Sequence, residues 1–517
     1  MAPMITADFQ YRLVATIILC FFGFLCLYLL FKKKKDGLVL PPSPPSLPII
    51  GHLHYFILSL LHHKSFQPHK LFHKLSSNYG PLLHLRVVNM PIVVVSSASL
   101  AYEIFRAQDV NISSRNVPTT EGSLFYDTYG FVMAPYGEYF KFMKKLIVAN
   151  MFGPHAQEQS RSIRAHELEM FYERLLDKAR KKESVEISKE AMKLMGNIIC
   201  KMSMGRSFTQ EYGEAGSIQG LVTKSAGLDI PLILGVWLFG QLEKLGISLF
   251  KKDITGLSKK YDELLERILV EHKEKPNTDG CTDIMDVLLA VSEDENAEYK
   301  ITRNHIKSLF VELLFGGLDT TVNSIQWTMA EIINNPIIIE RLKEEIDSVV
   351  GKSRLVQEKD LPNLPYLQAV IKEALRLHPP APYIPREFQQ GCKIGGFSVQ
   401  GKTRLVVNLY SVMRDPNVWE DPLEFKPERF LTWQQEERKE QALKYIPFGG
   451  GRRGCPASNL ANMIVGTTIG MMVQCFDWDI KGEKVNMDEW YKGFNQTMAH
   501  PLTLTPTTRI STLDLET

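Results

Sequence analysis

The chain has 517 residues, 44% of them hydrophobic, and is therefore long enough to bury a large core. Charged residues make up 23% of the chain and the formal net charge is only +2, so the composition gives no basis for a nucleic-acid partner. The 7 cysteines are scattered and include no Cys-x-x-Cys pair. They show no disulfide framework, which favours a reducing compartment.

The stretch 13–31 is uncharged and mostly apolar. As a helix it would cover about 29 Å, roughly one hydrocarbon core. The lysines at 32–35 follow directly, which predicts a single transmembrane anchor with residues 1–12 in the lumen and the rest in the cytosol. The alternative is a cleaved signal peptide, with a shorter apolar region, positive charge first and a small-residue cleavage site afterwards. None of these three features is present.

Residues 32–48 combine the basic stop with a proline-rich hinge, PPSPPSLP, at 41–48. Such a sequence is stiff and extended, and it can hold a globular domain at a fixed attitude to the membrane. An ordinary surface linker has the same composition, so both interpretations stay open. Residues 49–517 show no internal repeat and no change of composition, which predicts one large domain.

The predicted elements begin with a strand pair at 82–88 and 92–95, joined by a tight connection. From residue 97 onward the pattern is mainly helical, and short strands return at 394–399 and 403–408. The amphipathic stretches that predict long helices are 157–181, 258–273, 304–334 and 367–377. The fold class is therefore mainly α with small β-sheets.

One apolar run, 230–240 with Trp237 and Phe239, is unusual for a surface loop but too short to cross a bilayer. It suits a segment that dips into the membrane interface, and it suits a buried core segment equally well. Both interpretations stay open.

The strongest motif is FGGGRRGCPA at 448–457. Its three glycines let the backbone approach something large and flat, and Cys455 comes just before an apolar helical run at 460–473. A helix N-terminus and nearby arginines favour a thiolate over a thiol. A thiolate bound to haem iron favours cleavage of the O–O bond. The alternative is a buried, inert cysteine.

This segment resembles the cysteine-loop signature of the cytochrome P450 family, Phe-x-x-Gly-x-Arg-x-Cys-x-Gly, with Phe448, Gly451, Arg453 and Cys455 in place. Ala457 stands where glycine is usual and adds only slight crowding. The resemblance implies the P450 fold, haem b as cofactor and Cys455 as the axial ligand of the iron. It also implies electrons from NADPH through NADPH–cytochrome P450 reductase, since the chain has no Gly-rich dinucleotide fingerprint after a strand.

The pattern Glu-x-x-Arg occurs three times, and its context differs between the copies. At 103–106 and 158–161 it reads as a solvated helical pair. Glu373 and Arg376 instead lie on the predicted helix that ends before two prolines, and Arg429 follows downstream. This order is similar to the family's structural triad, which implies a buried charge network that braces the proximal side of the haem.

The predicted helix 304–334 contains the sequence GGLDTT at 316–321. Two glycines within a helix cost about 1 kcal/mol each against alanine, and the loosened turn makes room for a ligand. Asp319 and Thr320 add a carboxylate and a hydroxyl to an otherwise apolar helix. An accidental polar turn is the alternative. Beside Cys455, the segment resembles the family's oxygen-activation site, which implies that Asp319 and Thr320 deliver protons.

Haem carries two carboxylates, and the resemblance implies cations that hold them. The candidates are Arg453, Arg386 and Lys141. Lys141 departs from the family, which usually has arginine there, and lysine provides charge without a bidentate fork. A surface helix face that meets an acidic electron donor explains Lys141 and its neighbours almost as well.

The resemblance also implies which positions face the substrate, and these are 113–135, 311–318, 381–385 and 495–498. Their residues are apolar with a few hydroxyls and amides, which suits a bulky, weakly polar molecule. The hinge and the two main motifs resemble plant enzymes of the endoplasmic reticulum. The stretches 40–54 and 101–111 resemble a crucifer clade that oxidises triterpenes, whose sister group acts on flavonoids.

The expected function is hydroxylation, or further oxidation, of an apolar plant natural product with dioxygen. An oxygen-independent isomerase or dehydratase is a rival interpretation, but such relatives usually lose the acid and the threonine that this chain keeps as Asp319 and Thr320. A second rival is a non-catalytic membrane haem-binding protein, which would need no proton relay.

Overall fold

The computed structural model describes residues 16, 19–23, 39–62, 67–115, 130–211, 216–225, 251–274, 283–431, 444–492 and 495–510. Most of the predicted anchor 13–31, all of residues 1–12 and the apolar run 230–240 lie outside this set. Within the described residues, no helix is both long and apolar enough to cross a membrane.

Helices form most of the described chain, and the strands are short. The α-helices are α1 (Leu53–His62), α2 (Pro68–Tyr79), α3 (Ala98–Ala107), α4 (Glu138–Ile147), α5 (Pro154–Gln159), α6 (Arg161–Lys181), α7 (Ile187–Met204), α8 (Ile218–Ser225), α9 (Lys251–Glu274), α10 (Ile284–Glu293), α11 (Arg303–Asn334), α12 (Pro336–Val349), α13 (Pro365–Leu377), α14 (Leu409–Val412) and α15 (Ser458–Cys475). The strands are β1 (Leu82–Val87), β2 (Met90–Val95), β3 (Val185–Glu186), β4 (Ile384–Glu387), β5 (Cys392–Ile394), β6 (Phe397–Val399), β7 (Arg404–Val407), β8 (Phe476–Asp479), β9 (Glu489–Lys492), β10 (Asn495–Met498) and β11 (Thr503–Thr508). The predicted fold class, mainly α with small sheets, is confirmed.

The largest sheet has the strand order β1-β2-β7-β4, in which β2 and β7 are parallel and the other two pairs antiparallel. The predicted pair at 82–88 and 92–95 is β1 and β2, and the chain reverses at Val88, whose φ is +55°. The predicted strand 394–399 is instead the hairpin of β5 and β6. Gly395 and Gly396 turn the chain there with φ of 55° and 82°, values that glycine adopts without strain.

The helix predicted over 157–181 is broken in two at Ser160. The Ser160 hydroxyl donates to the Ala156 carbonyl at 2.7 Å and accepts from Arg164 Nη1 at 2.7 Å. Hydroxyl groups that bond to the preceding turn compete with the regular helical ladder. The chain therefore ends α5 at Gln159 and restarts as α6 at Arg161.

Helix α11 lies at the centre of the main hydrophobic cluster and contacts α7, α13 and α15. Its large side chains, among them Phe310, Ile325 and Trp327, are fully buried. It begins and ends within one residue of the predicted 304–334. Buried helices of this kind position whatever side chains they carry with little freedom.

Helix α7 depends on a glycine for its packing. A Cβ on Gly196 would lie 2.3 Å from the ring of the buried Phe208. We expect Gly196→Ala to lower the free energy of unfolding by about 1–3 kcal/mol through overpacking, although alanine is the better helix former. Thermal unfolding followed by circular dichroism measures the change.

Gly256→Ala provides the matched control, because Gly256 lies on α9 with nothing within 4 Å of an added Cβ. Its midpoint should stay the same or rise. Equal midpoints for the two variants would contradict the packing argument.

Candidate active site

Cys455 lies at the end of a tight loop, three residues before α15 begins at Ser458. Its backbone N–H donates to the carbonyl of Phe448 at 3.0 Å, which closes the loop. Gly451 has φ of +68°, and the carboxylate of Asp109 stands where its Cβ would be. Cys455 is exposed although Arg453 beside it is buried. The loop therefore presents the thiol toward open space from a closely packed base.

Burial raises the pKa of the Cys455 thiol, and the Ala457 N–H, Arg115 and Lys144 act in the opposite direction. The thiol is open on one side, yet it is deep enough among protein atoms to lose solvation. The N–H at the helix end and the nearby cations therefore act in favour of the thiolate, as expected, but burial outweighs them. A coordinating metal ion deprotonates a thiol outright, so the anionic form would come with the metal.

Three guanidinium groups lie in or beside the cysteine loop, those of the buried Arg453 and Arg386 and of the half-buried Arg115. Arg453 Nε donates to the Ser113 carbonyl at 2.6 Å, and its guanidinium carbon lies 3.7 Å from the centre of the Phe140 ring. Arg386 Nη2 reaches the Arg453 carbonyl at 3.4 Å. Arg115 Nη1 donates to the Val132 carbonyl at 2.9 Å, whereas its Nε is buried without a partner.

These cations repel one another. Burial lowers the pKa of Arg453 to about 9, with Arg115 adding to the effect, and burial likewise lowers the pKa of Arg115 and of Arg386. Among the described residues, none of the three forms an ion pair with a carboxylate within 4.0 Å. Buried charges of one sign without counter-charge are costly, so the arrangement fits an anionic ligand. Sequence reasoning missed Arg115, which stands in no motif that marks it.

Lys141 is not part of this cluster. Its Nζ pairs with Glu138 Oε1 at 2.8 Å across the exposed face of α4. One turn further along, Lys144 Nζ donates to the Arg452 carbonyl at 2.5 Å. Of the neighbouring lysines, Lys144 rather than Lys141 thus reaches the cysteine loop, because α4 turns Lys141 toward solvent.

The two glycines of α11 have different surroundings. Gly316 is exposed within a helix that is otherwise mostly buried, and nothing lies within 4 Å of an added Cβ. A Cβ on Gly317 would instead lie 2.6 Å from Ile199 Cδ1 of α7. Gly316 therefore borders open space, whereas Gly317 allows α7 to approach.

The polar residues of the same turn are partly buried. Thr320 Oγ1 donates to the Gly316 carbonyl at 2.6 Å, so its hydroxyl oxygen stays available as an acceptor beside the open turn. Burial raises the pKa of Tyr261 on α9, and the charge of Asp319 adds to this rise. Asp319 therefore lies near α9.

Glu312, one turn before Gly316, links the central helix to the cysteine loop. Its two carboxylate oxygens accept the N–H groups of Phe131 at 3.0 Å and Val132 at 2.9 Å. The Val132 carbonyl in turn accepts from Arg453 Nη1 at 3.2 Å. Burial raises the pKa of Glu312 to about 8, although the hydrogen bonds from the backbone N–H groups and the positive charge of Arg115 act to lower it. The sequence analysis did not single out this residue.

Glu373, Arg376 and Arg429 meet in one buried network. Glu373 receives both Arg376 Nε at 2.7 Å and Arg376 Nη2 at 2.8 Å, and it also accepts Arg429 Nε at 2.9 Å. The side chains of Glu373 and Arg376 are 0% exposed. Arg376 Nη1 continues to the carbonyls of Met413 and Pro422, both at 2.8 Å. The network thus ties α13 to the chain that precedes the cysteine loop.

The other two Glu-x-x-Arg copies differ from this one. Glu158 and Arg161 pair on the surface, with about half of each side chain or more exposed, as expected. Glu103 and Arg106 do not pair as predicted, because Glu103 accepts the Gly395 N–H at 3.2 Å and Arg106 donates to the Tyr102 hydroxyl.

Comparison with known proteins gives the family. The family model described as cytochrome P450 matches residues 41–501. The chain belongs to the cytochrome P450 family. Members bind haem and act as monooxygenases, so this P450 is a haem-dependent monooxygenase.

Its relatives include plant P450s. Cytochrome P450 705A22 of Arabidopsis thaliana is 65% identical over 516 residues, which cover 98% of this chain and 99% of that protein. Cytochrome P450 93B2 of Gerbera hybrida is 42% identical over 89% of this chain and 90% of that protein. A zebrafish P450 structure with progesterone superimposes with a TM-score of 0.73 at 27% identity, covering 85% of this chain and 99% of that one.

The residues of this P450 fit haem. The tight loop offers one exposed thiol, and the turn at Gly316 leaves open space in the central helix. The three guanidiniums offer positive charge to the two carboxylates of haem, and the partnerless Arg115 Nε supplies a donor.

The buried network predicts a large difference between two glutamates of the same motif. Glu373→Gln should lower stability by about 3–5 kcal/mol, because it leaves the buried Arg376 without its counter-charge. Glu158→Gln should change stability by less than about 1 kcal/mol, since that pair is exposed.

The yield of haem-loaded protein and its thermal midpoint measure both effects. A Glu373→Gln protein that loads haem and unfolds like the Glu158→Gln protein would show that the network is dispensable.

Proposed function

We propose that this P450 hydroxylates, or further oxidises, an apolar plant natural product of the triterpene class. The observation that carries the proposal is the linkage of three features through one backbone segment. The exposed thiol of Cys455, the guanidiniums and the open turn at Gly316 are connected through Val132, which contacts both Arg453 and Glu312.

In the proposed mechanism, Cys455 Sγ ligates the haem iron, with Phe448 closing the loop behind it. Arg453, Arg386 and Arg115 hold the carboxylates, and we leave Lys141 out because its ammonium pairs with Glu138. When bound, the haem supplies the activation of dioxygen.

Two polar side chains of the protein then deliver protons to the site. Thr320 Oγ1 lies at the open turn, where its oxygen can hold a proton donor, and the Asp319 carboxyl group on the same turn takes up protons from solvent and passes them on. Electrons come from NADPH through NADPH–cytochrome P450 reductase. Arg452 of the cysteine loop and Lys144, which donates to its carbonyl, give that partner positive charge near the loop.

Among the described residues at the proposed substrate-facing positions, several hydroxyl groups are bonded within the protein. Ser113 Oγ donates to the Asp109 carbonyl at 2.5 Å, and Ser114 Oγ accepts the Tyr136 N–H at 3.2 Å. The hydroxyl of Tyr383 accepts from that of Tyr491 at 2.7 Å. These bonds leave fewer hydroxyl groups to meet a ligand, which supports a large, weakly polar substrate. The resemblance of 40–54 and 101–111 to triterpene-oxidising relatives supports the class.

We further propose that residues 13–31 anchor the protein in the endoplasmic reticulum membrane, with the catalytic domain facing the cytosol. Apolar side chains on α1 support this, since Ile57, Leu58 and Leu61 are 45%, 48% and 76% exposed. They lie a few residues after the hinge, on the part of the domain that the anchor would bring to the lipid surface.

Replacing the proposed ligand tests the haem assignment. Cys455→Ser should abolish the red-shifted absorption of the reduced carbon monoxide complex and abolish turnover, because serine does not provide a thiolate. The measurement is the carbon monoxide difference spectrum of membrane-expressed protein. Cys392→Ser, at a partly exposed cysteine of β5, should retain both signals. A fully active Cys455→Ser enzyme would overturn the assignment.

A substrate panel tests the chemistry. Membranes containing this P450 and the reductase should convert a triterpene to a product that carries one oxygen atom from labelled dioxygen, in an NADPH-dependent reaction. Thr320→Ala should consume NADPH with less product, because protons are delivered less selectively.

The outcomes separate the alternatives. Oxidation of flavonoids alone would replace the substrate class and keep the reaction. Conversion of a hydroperoxide without reductase would favour the isomerase or dehydratase, and an unchanged Thr320→Ala would favour a protein without a proton relay.

A further inference from the structure

Four residues, 131–134, have their backbone polar groups bound by charged side chains from three parts of the chain. Glu312 of α11 accepts the N–H groups of Phe131 and Val132. Arg453 of the cysteine loop donates to the carbonyls of Phe131, Val132 and Ala134. Arg115 also donates to the Val132 carbonyl. We refer to residues 131–134 as the linking segment.

The linking segment holds the guanidiniums of Arg453 and Arg115 in a fixed orientation. Arg453 has four backbone acceptors, and three of them belong to this segment, whereas the fourth is Ser113. The hydrogen bond from Arg115 Nη1 also ends there, at the Val132 carbonyl. A displacement of the segment would therefore turn both guanidiniums, since planar forks lose their bonds with small changes of angle.

Glu312 is what holds the segment against the central helix. Its carboxylate bonds span two consecutive N–H groups at 3.0 and 2.9 Å, an arrangement that only a group with two acceptor oxygens can make. Its charge also acts on Arg115 and on Arg453, in each case raising a pKa that burial lowers. Glu312 is thus a tether through its hydrogen bonds, and in its ionised form it is also a counter-charge.

Both oxygens of Glu312 are engaged by backbone donors, so the residue is poorly suited to deliver protons or to bind a substrate hydroxyl. The neighbouring polar residues of the helix, Asp319 and Thr320, lie two turns further along, beside the open turn. A role in positioning fits the geometry better than a role in the chemistry.

We propose that Glu312 is a positioning residue for haem retention, acting through the linking segment on Arg453 and Arg115. The inference rests on the proposed function, in which those two guanidiniums hold the haem carboxylates. It assigns Glu312 an effect on how fast haem leaves and on the electrostatic surroundings of the iron, with no direct part in oxygen chemistry.

The test is haem transfer from the purified, haem-loaded P450 to excess apomyoglobin. Glu312→Ala removes both acceptors and the charge, and haem should leave at least about tenfold faster, as loss of charged hydrogen bonds predicts. Glu312→Gln keeps one acceptor and should fall between the wild type and Glu312→Ala. At a pH above about 8, where Glu312 is ionised, the reduction potential of both variants should be more positive than that of the wild type, because a negative charge is lost near the haem site.

Glu331→Gln is the matched control. Glu331 is a carboxylate further along the same helix and bonds His378 Nε2 at 2.7 Å, away from the linking segment. Its replacement should lower thermal stability and leave the haem transfer rate and the potential unchanged. Glu312→Asp, which keeps the charge on a shorter side chain, should restore the potential better than the transfer rate.

Each outcome decides between the hypotheses. If the wild type holds haem through a thiolate and Glu312→Gln and Glu312→Ala release it at the wild-type rate, the inference on Glu312 fails and the proposed function stands. If Glu331→Gln releases haem as fast as Glu312→Gln, helix stability and not positioning explains the effect. If the wild type shows no thiolate-bound haem, the proposed function fails, and the inference with it.

Discussion

Three guanidinium groups, those of Arg115, Arg386 and Arg453, lie close together, and their mutual repulsion is the constraint around which the active site is arranged. Backbone carbonyls accept most of the hydrogen bonds that these guanidiniums donate. A carbonyl has no net charge, however, and cannot offset the three positive charges. Anions nearby would offset this positive charge, and the carboxylates of haem supply two of them. The protein thus contains uncompensated positive charge that the carboxylates of its cofactor would neutralise. Haem binding and folding should therefore be strongly coupled.

The second buried charge network has the opposite character, because it is complete within the chain. Glu373 receives two arginines and the Lys426 N–H, and Arg376 uses its remaining donors on carbonyls. A network in which every charge and hydrogen bond has a partner holds its side chains in one geometry. A network with unpaired charge can instead bind a ligand. The two networks have different roles. The network of Glu373 fixes the chain that leads to the cysteine loop, whereas the three guanidiniums leave positive charge available to bind an anionic ligand.

Local patterns carried much of the prediction. The 3.6-residue period of α11 and α13, the apolar run of α15 and the strand pair of β1 and β2 depend on near neighbours, and the structure has them close to the predicted bounds. Two errors came from competing local chemistry. Ser160 bonds to the preceding turn and interrupts a helix, and the pair Gly395 and Gly396 turns a strand into a hairpin.

The remaining differences depend on contacts distant in sequence. Gly316 and Gly317 look alike in the sequence, and only the approach of Ile199 from α7 separates an open position from a packed one. Arg115 and Glu312 belong to no short motif, since each acquires its importance from residues that arrive from elsewhere in the fold. Lys141 has the expected positive charge, but it lies on the exposed face of α4, where its side chain pairs with Glu138. No period or spacing within the sequence contains that information.

The beginning of the described chain has a practical consequence for preparing a soluble form of this enzyme. The Val39 carbonyl accepts the Ser398 N–H at 2.7 Å, the Pro42 carbonyl accepts the His84 N–H at 2.8 Å, and the Pro44 carbonyl lies 2.9 Å from His52 Nε2. These residues before the first helix therefore act as an outer strap of the catalytic domain. Removing residues 1–38 would leave the strap in place. Removing the prolines as well would strip hydrogen-bond partners from β1 and β6 and expose edges prone to aggregation.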